Sequence, residues 1–186
     1  MTASTRAGRE AGLLTRNGAA TAIFAALAAA LGFLLIGVPN VELLTFATFA
    51  SGVALGRLRG AVVGVLAMAL YSGANPHGSG IAIPTLFLSQ LSVAALIGLT
   101  GGLTAPMWRT RGSSRRWLKG AMVCAVLGLL LTVLYQAAVI VGISAMSPDF
   151  RTGALAVVAS NAVFSLVHIV SNTMIFALAG PAVLPR

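Results

Sequence analysis

The chain has 186 residues, of which 58% are hydrophobic and only 8% charged, with a mean hydropathy of +0.98. Soluble domains carry about a quarter of their residues as charges, so this composition excludes an ordinary water-soluble enzyme and points to an all-α integral membrane protein held in a lipid bilayer. The net charge of +9 invites a nucleic-acid reading, but the basic residues fall in short breaks between apolar runs, so no nucleic-acid partner is expected.

Windows of about 20 residues, enough to cross roughly 30 Å of hydrocarbon at 1.5 Å per residue, mark the spans. They predict six transmembrane helices over approximately 18–38, 40–56, 60–74, 81–105, 120–145 and 153–179. Residues 1–17 are basic and polar and read as a cytoplasmic tail. The apolar run behind them is longer than the core of a signal peptide and reads as a retained helix. That first run, "NGAATAIFAALAAALGFLL", repeats alanine at Ala22, Ala26 and Ala30 and again at Ala25 and Ala29. Faces of small residues allow close helix approach in membranes, so these alanines are candidates either for packing inside the bundle or for docking a partner. The second and third runs are short and meet at "GRLRG". We read two tilted spans joined by a basic turn, because a re-entrant hairpin would sink Arg57 and Arg59 into the membrane at a few kcal/mol each.

The stretch 71–84, "YSGANPHGSGIAIP", interrupts the apolar pattern. Pro76 and Gly78 break a helix, and Pro84 suits the first turn of the next, where a missing N–H costs nothing. A simple turn accounts for that much. "HGSG" is also similar to oxyanion loops of lipase-like hydrolases, but no G-x-S-x-G nucleophile elbow accompanies it. The remaining reading makes Asn75, His77 and Ser79 the rim of a ligand pocket. In the fifth run the lone Cys124 can form neither an internal disulfide nor a metal cluster and reads as a packing residue.

Polar side chains inside hydrocarbon are costly and mark candidate sites. In the last run Asn161, Ser165, His168 and Asn172 recur at spacings of 4, 3 and 4, which places them on one helical face. Interhelical hydrogen bonding alone could explain the stripe. Counted from the outer ends, however, Gln90, Tyr135, Gln136 and Asn161 each lie about 8–10 residues in, or roughly 12–15 Å. Four polar groups from three helices at one depth suggest the floor of a pocket. His168 and Asn172 lie deeper and read as mainly structural, with His168 a further candidate contact. Glu42, Asp149 and Arg151 are the charges near the mouth, so a small, largely neutral, hydrogen-bonding solute is expected over a phosphate or polyanion.

Charge sets the topology. With the N-terminus inside, Arg6, Arg9, Arg16, Arg57, Arg59, Arg109, Arg111, Arg115, Arg116, Lys119 and Arg186 are all cytoplasmic and only Arg151 is outside. Trp108 and Trp117 bracket the basic loop where interfacial indoles belong. Both termini are therefore expected in the cytoplasm, with 18–180 forming the membrane domain and 181–186 a short tail. No "GxxxxGK[ST]", H-E-x-x-H, paired-carboxylate or triad spacing occurs, so catalytic residues, a metal site and a cofactor are not expected.

The order of "AIFAALAAA", "PNVE", "GRLRGAVVG", "NPHGSG" with Pro84 and Gln90, then "GLTGG" and an Asn-containing last helix, resembles the substrate-binding S component of energy-coupling-factor (ECF) vitamin transporters. The similarity runs from about Ala20 to Ala179. It implies a compact six-helix bundle in a bacterial or archaeal cytoplasmic membrane that captures a vitamin-like solute outside. It also implies partners: a membrane coupling subunit and two cytoplasmic ATPase subunits, with the alanine face of helix one contacting the former. One departure is the very short "GVPN" connection between helices one and two, where relatives often fold a longer loop over the ligand. A lid is therefore expected from 74–83 or from "ISAMSPDFRTG". Two other classes remain open on the residues alone: a ligand-free membrane assembly or scaffold protein, and a self-sufficient small transporter.

Overall fold

Backbone in hydrocarbon must pair its own N–H and C=O groups, and a chain of this composition does so by coiling into helices. The computed structural model describes residues 3–76, 80–108 and 114–184, with side chains over 15–76, 80–108 and 117–184. Among these residues are six α-helices: α1 (Ala3–Leu34), α2 (Leu44–Leu55), α3 (Arg57–Gly73), α4 (Pro84–Thr104), α5 (Ser114–Ser144) and α6 (Phe150–Val183). Short 3-10 turns at Gly80–Ala82 and Ala105–Trp108 flank α4. Four stretches, Thr15–Leu34, Pro84–Trp108, Trp117–Ser144 and Phe150–Val183, are long and apolar enough to cross a membrane. The chain is thus all-helical and has the make-up of a multi-pass membrane protein.

The remaining two helices differ from expectation. α2 has 12 residues, about 18 Å of helix, so the predicted span 40–56 falls well short of a bilayer by itself. Its first residues belong instead to an irregular connection over 35–43. α3 has 17 residues, about 26 Å. The predicted basic turn at 56–60 contracts to Gly56 alone, at φ 91° and ψ 165°, a conformation open in practice only to glycine. Arg57 and Arg59 lie in the first turn of α3, and the Arg59 guanidinium donates to Asn17 Oδ1 of α1 at 2.9 Å. Helical backbone also enters both predicted tails, beginning at Ala3 and ending at Val183.

Local chemistry explains two helix starts. Pro84 occupies the first turn of α4 after the extended Ile83, as expected. Asp149 caps α6, accepting from the N–H groups of Arg151 and Thr152 and from the Thr152 hydroxyl. Those bonds, led by the Thr152 side chain, hold the Asp149 carboxyl below its usual range.

Leucine packs against lipid as well as against protein, so close packing of small residues must hold the bundle together. A methyl on Gly98 of α4 would strike the carbonyl of Gly60 in α3, and one on Gly60 would strike the Cα of Gly52 in α2. α2, α3 and α4 therefore meet backbone to backbone. α1 packs on α3 and α2, and α5 packs on α4. α6 lies along α5 and reaches α2 at an aromatic cluster, where the Phe46 and Phe176 rings meet edge to face at 5.2 Å.

This order leaves part of the α5–α6 hairpin standing free. Ser171 of α6 donates to the Asn40 carbonyl in the α1–α2 connection at 3.2 Å, yet α6 begins at Phe150, so about 30 Å of helix precedes that contact. Large apolar side chains there, including Leu155, Val163 and Leu166, are more than 60% exposed. α4 flanks the projecting end of α5 through the Thr85 hydroxyl, which donates to the Gly142 carbonyl at 2.6 Å. A cavity opens between this hairpin and the α1–α2 connection.

Candidate functional site

The cavity measures about 810 Å³ and is walled mainly by aliphatic side chains. It is lined by Asn75 from the segment after α3, Gln90 of α4, Tyr135 and Gln136 of α5, and Asn161, Ser165 and His168 of α6. Of the residues selected from the sequence, His77 and Ser79 lie outside the described residues. A smaller cavity of about 260 Å³ adjoins the first and shares Tyr71, Asn75 and Gln90 with it.

A polar arc crosses the lining. The Ser72 hydroxyl donates to Gln90 Oε1 at 2.7 Å, and Gln90 Nε2 donates to the Tyr135 hydroxyl at 3.2 Å. The Tyr135 ring stands edge to face with His168 at 5.5 Å. His168 Nε2 lies 3.3 Å from Glu42 Oε1, which also accepts from Asn172 Nδ2 at 3.0 Å. The second carboxylate oxygen, Oε2, accepts from the Thr45 N–H at 2.8 Å and so caps the first turn of α2. Buried polar groups are tolerated when paired in this way.

Three expectations need correction. Glu42, placed near the mouth by sequence, is 8% exposed and lies in the cavity lining; one carboxylate serves both the orphan N–H at the start of α2 and two donors from α6, which draws it inward. His168 lines the cavity while buried and bonded to Glu42, and Asn172 is fully buried one turn further along α6. Asn161 lines the cavity but is exposed and not part of a floor, its amide nitrogen spent on the Val157 carbonyl and the Ser160 hydroxyl. The short "GVPN" connection, judged too brief to cover a ligand, lines the cavity from Ile36 to Val41. It does so because α1 stops at Leu34 and α2 starts only at Leu44, which frees nine residues where "GVPN" counts four.

The alanine register of α1 resolves into two faces. Ala25 and Ala29 are buried at 2% and 5% exposure, alongside Ala28. Packed inside this chain, they are removed from the candidate docking residues. Ala22, Ala26 and Ala30 are exposed, on a face that also carries Ile23 and Leu27.

Tyr71, Thr45 and Met68 also line the cavity and were not singled out by sequence. For Tyr71 the available signal was its place at the head of the 71–84 interruption; Thr45 and Met68 carried none. Among the described residues no three of His, Cys, Asp or Glu converge. The chemistry of the cavity is that of amide, phenol and imidazole hydrogen bonds, one carboxylate, and apolar walls. Comparison of the chain with known protein families, curated proteins and solved structures finds no match.

Proposed function

We propose that the chain is the substrate-specific subunit of an ATP-driven uptake system, of the ECF S-component kind. It binds a small vitamin-like solute from outside and delivers it to the cytoplasm with a membrane coupling subunit and two cytoplasmic ATPase subunits. The observation that carries this reading is the cavity of about 810 Å³. Residues chosen from the sequence for polarity at membrane depth, on α4, α5 and α6, line one space together with Asn75. A pocket of several hundred Å³ with mostly apolar walls and a few convergent polar groups is the usual form of a small-molecule site.

In this reading both termini and the α4–α5 loop face the cytoplasm of a bacterial or archaeal cell, all six helices belong to the membrane domain, and the cavity opens outward. The positive charge in the cytoplasmic loops supports that orientation. The outward alanine face at Ala22, Ala26 and Ala30 meets the coupling subunit.

The test is extraction in mild detergent, purification, and mass spectrometry of small molecules released on denaturation. A stoichiometric organic solute is expected, and its rebinding to the emptied protein should be saturable. Recovery of no solute from native membranes, with no uptake on co-expression with a coupling module, would end the proposal.

A further inference from the structure

The charges of the cavity are unevenly matched. Among the described residues its lining includes one acid, Glu42, one histidine, His168, and no lysine or arginine. The other titratable groups facing this pair are the phenols of Tyr71 and Tyr135. The described lining therefore offers one carboxylate and no permanent cation.

A carboxylate offers about four acceptor positions on its two oxygens. Three are taken in Glu42: His168 Nε2 and Asn172 Nδ2 on Oε1, and the Thr45 N–H on Oε2. One position on Oε2 remains for a further donor, and the side chain keeps 10% of its surface open. The rings of Tyr71, Tyr135 and Phe164 line the same space, and aromatic faces attract cations. Among the described residues no lysine or arginine lines the cavity to meet an anionic ligand.

Resting on the solute-binding reading above, we propose that the cavity selects a solute with one positive charge, a protonated amine, amidine or aromatic cation, which Glu42 neutralises. One carboxylate balances one cation.

Benzamidinium, benzamide and benzoate share one flat shape and differ in charge, and serve as probes by calorimetry with the purified full chain in detergent. Benzamidinium should bind at least about tenfold more tightly than benzamide, with benzoate weakest. Glu42→Gln, which keeps an acceptor for the Thr45 N–H, should erase the advantage. His168→Gln, which leaves the carboxylate in place, should keep the advantage, a split that a purely structural role for the pair would not produce. Equal binding of benzamide, survival of the preference in Glu42→Gln, or failure of all three probes to bind would overturn the proposal. A neutral or anionic co-purified solute would overturn it too, while leaving the solute-binding reading intact.

Discussion

Glu42 and His168 stand 126 positions apart in the chain and 3.3 Å apart in space, both buried. The contact joins the α1–α2 connection to α6, two elements that also meet through the Glu42–Asn172 and Asn40–Ser171 hydrogen bonds. Removing the His168 ring takes one donor from a buried carboxylate, and a hydrogen bond to a charged group is worth about 1.5–3 kcal/mol. His168→Leu should therefore lower unfolding stability in detergent by an amount of that order. Adding Glu42→Gln to His168→Leu should recover part of the loss, a non-additivity that a double-mutant cycle measures directly.

The glycine contact of α2, α3 and α4 predicts a steep size limit. Gly98→Ala would press a methyl on the Gly60 carbonyl and Gly60→Ala on the Gly52 backbone, and overpacking costs about 1–3 kcal/mol or more. Each should reduce the thermal midpoint and the monodisperse fraction on gel filtration. Gly18→Ala, where nothing lies within 4 Å of the added methyl, should be neutral or slightly stabilising.

The two faces of α1 separate folding from partner docking. Ala29→Trp, at a site 5% exposed, should prevent correct packing. Ala26→Trp, on the exposed face, should leave folding and solute binding intact and block uptake with the coupling module. Unchanged uptake in Ala26→Trp would remove the alanine face from the docking surface.

Within the cavity, Asn161 and Gln90 should behave differently. Asn161 bonds only to its own helix, so Asn161→Ala should weaken the co-purified solute by roughly 5- to 150-fold at nearly unchanged stability. Gln90 joins Ser72 to Tyr135, so Gln90→Ala should lower both affinity and thermal midpoint by leaving two hydroxyls unpaired. Titration calorimetry and thermal melts on the same samples distinguish the two outcomes.

Orientation is tested with cysteines at Ser114 and Ser147 in a Cys124→Ala background. Cys124 itself is fully buried and should not react. An impermeant thiol reagent should reach Ser147→Cys from outside and Ser114→Cys only after lysis. Labelling of Ser114→Cys from outside would invert the topology.

The sequence determined the material of this fold. Apolar runs near 20 residues are a one-dimensional property, and they announced α4, α5, α6 and the apolar part of α1 with boundaries displaced by a few residues at most of their ends. The spacing of Asn161, Ser165 and His168 likewise announced a single helical face, because 3.6-residue periodicity is local. What the runs could not carry was where helix gives way to irregular chain inside an apolar stretch. Leu35 to Leu43 are as apolar as a span, and contacts made by Asn40 and Glu42 against α6 and α2 take them out of it. The choice between Ala25 with Ala29 and Ala22 with Ala26 was undecidable in a run so rich in alanine, since the inner face depends on which neighbour presents a complementary surface. Tertiary structure alone decided that the one acid of the α1–α2 connection turns inward. Its partners, Thr45, His168 and Asn172, come from opposite ends of the chain and satisfy a charge that would otherwise have stayed in water.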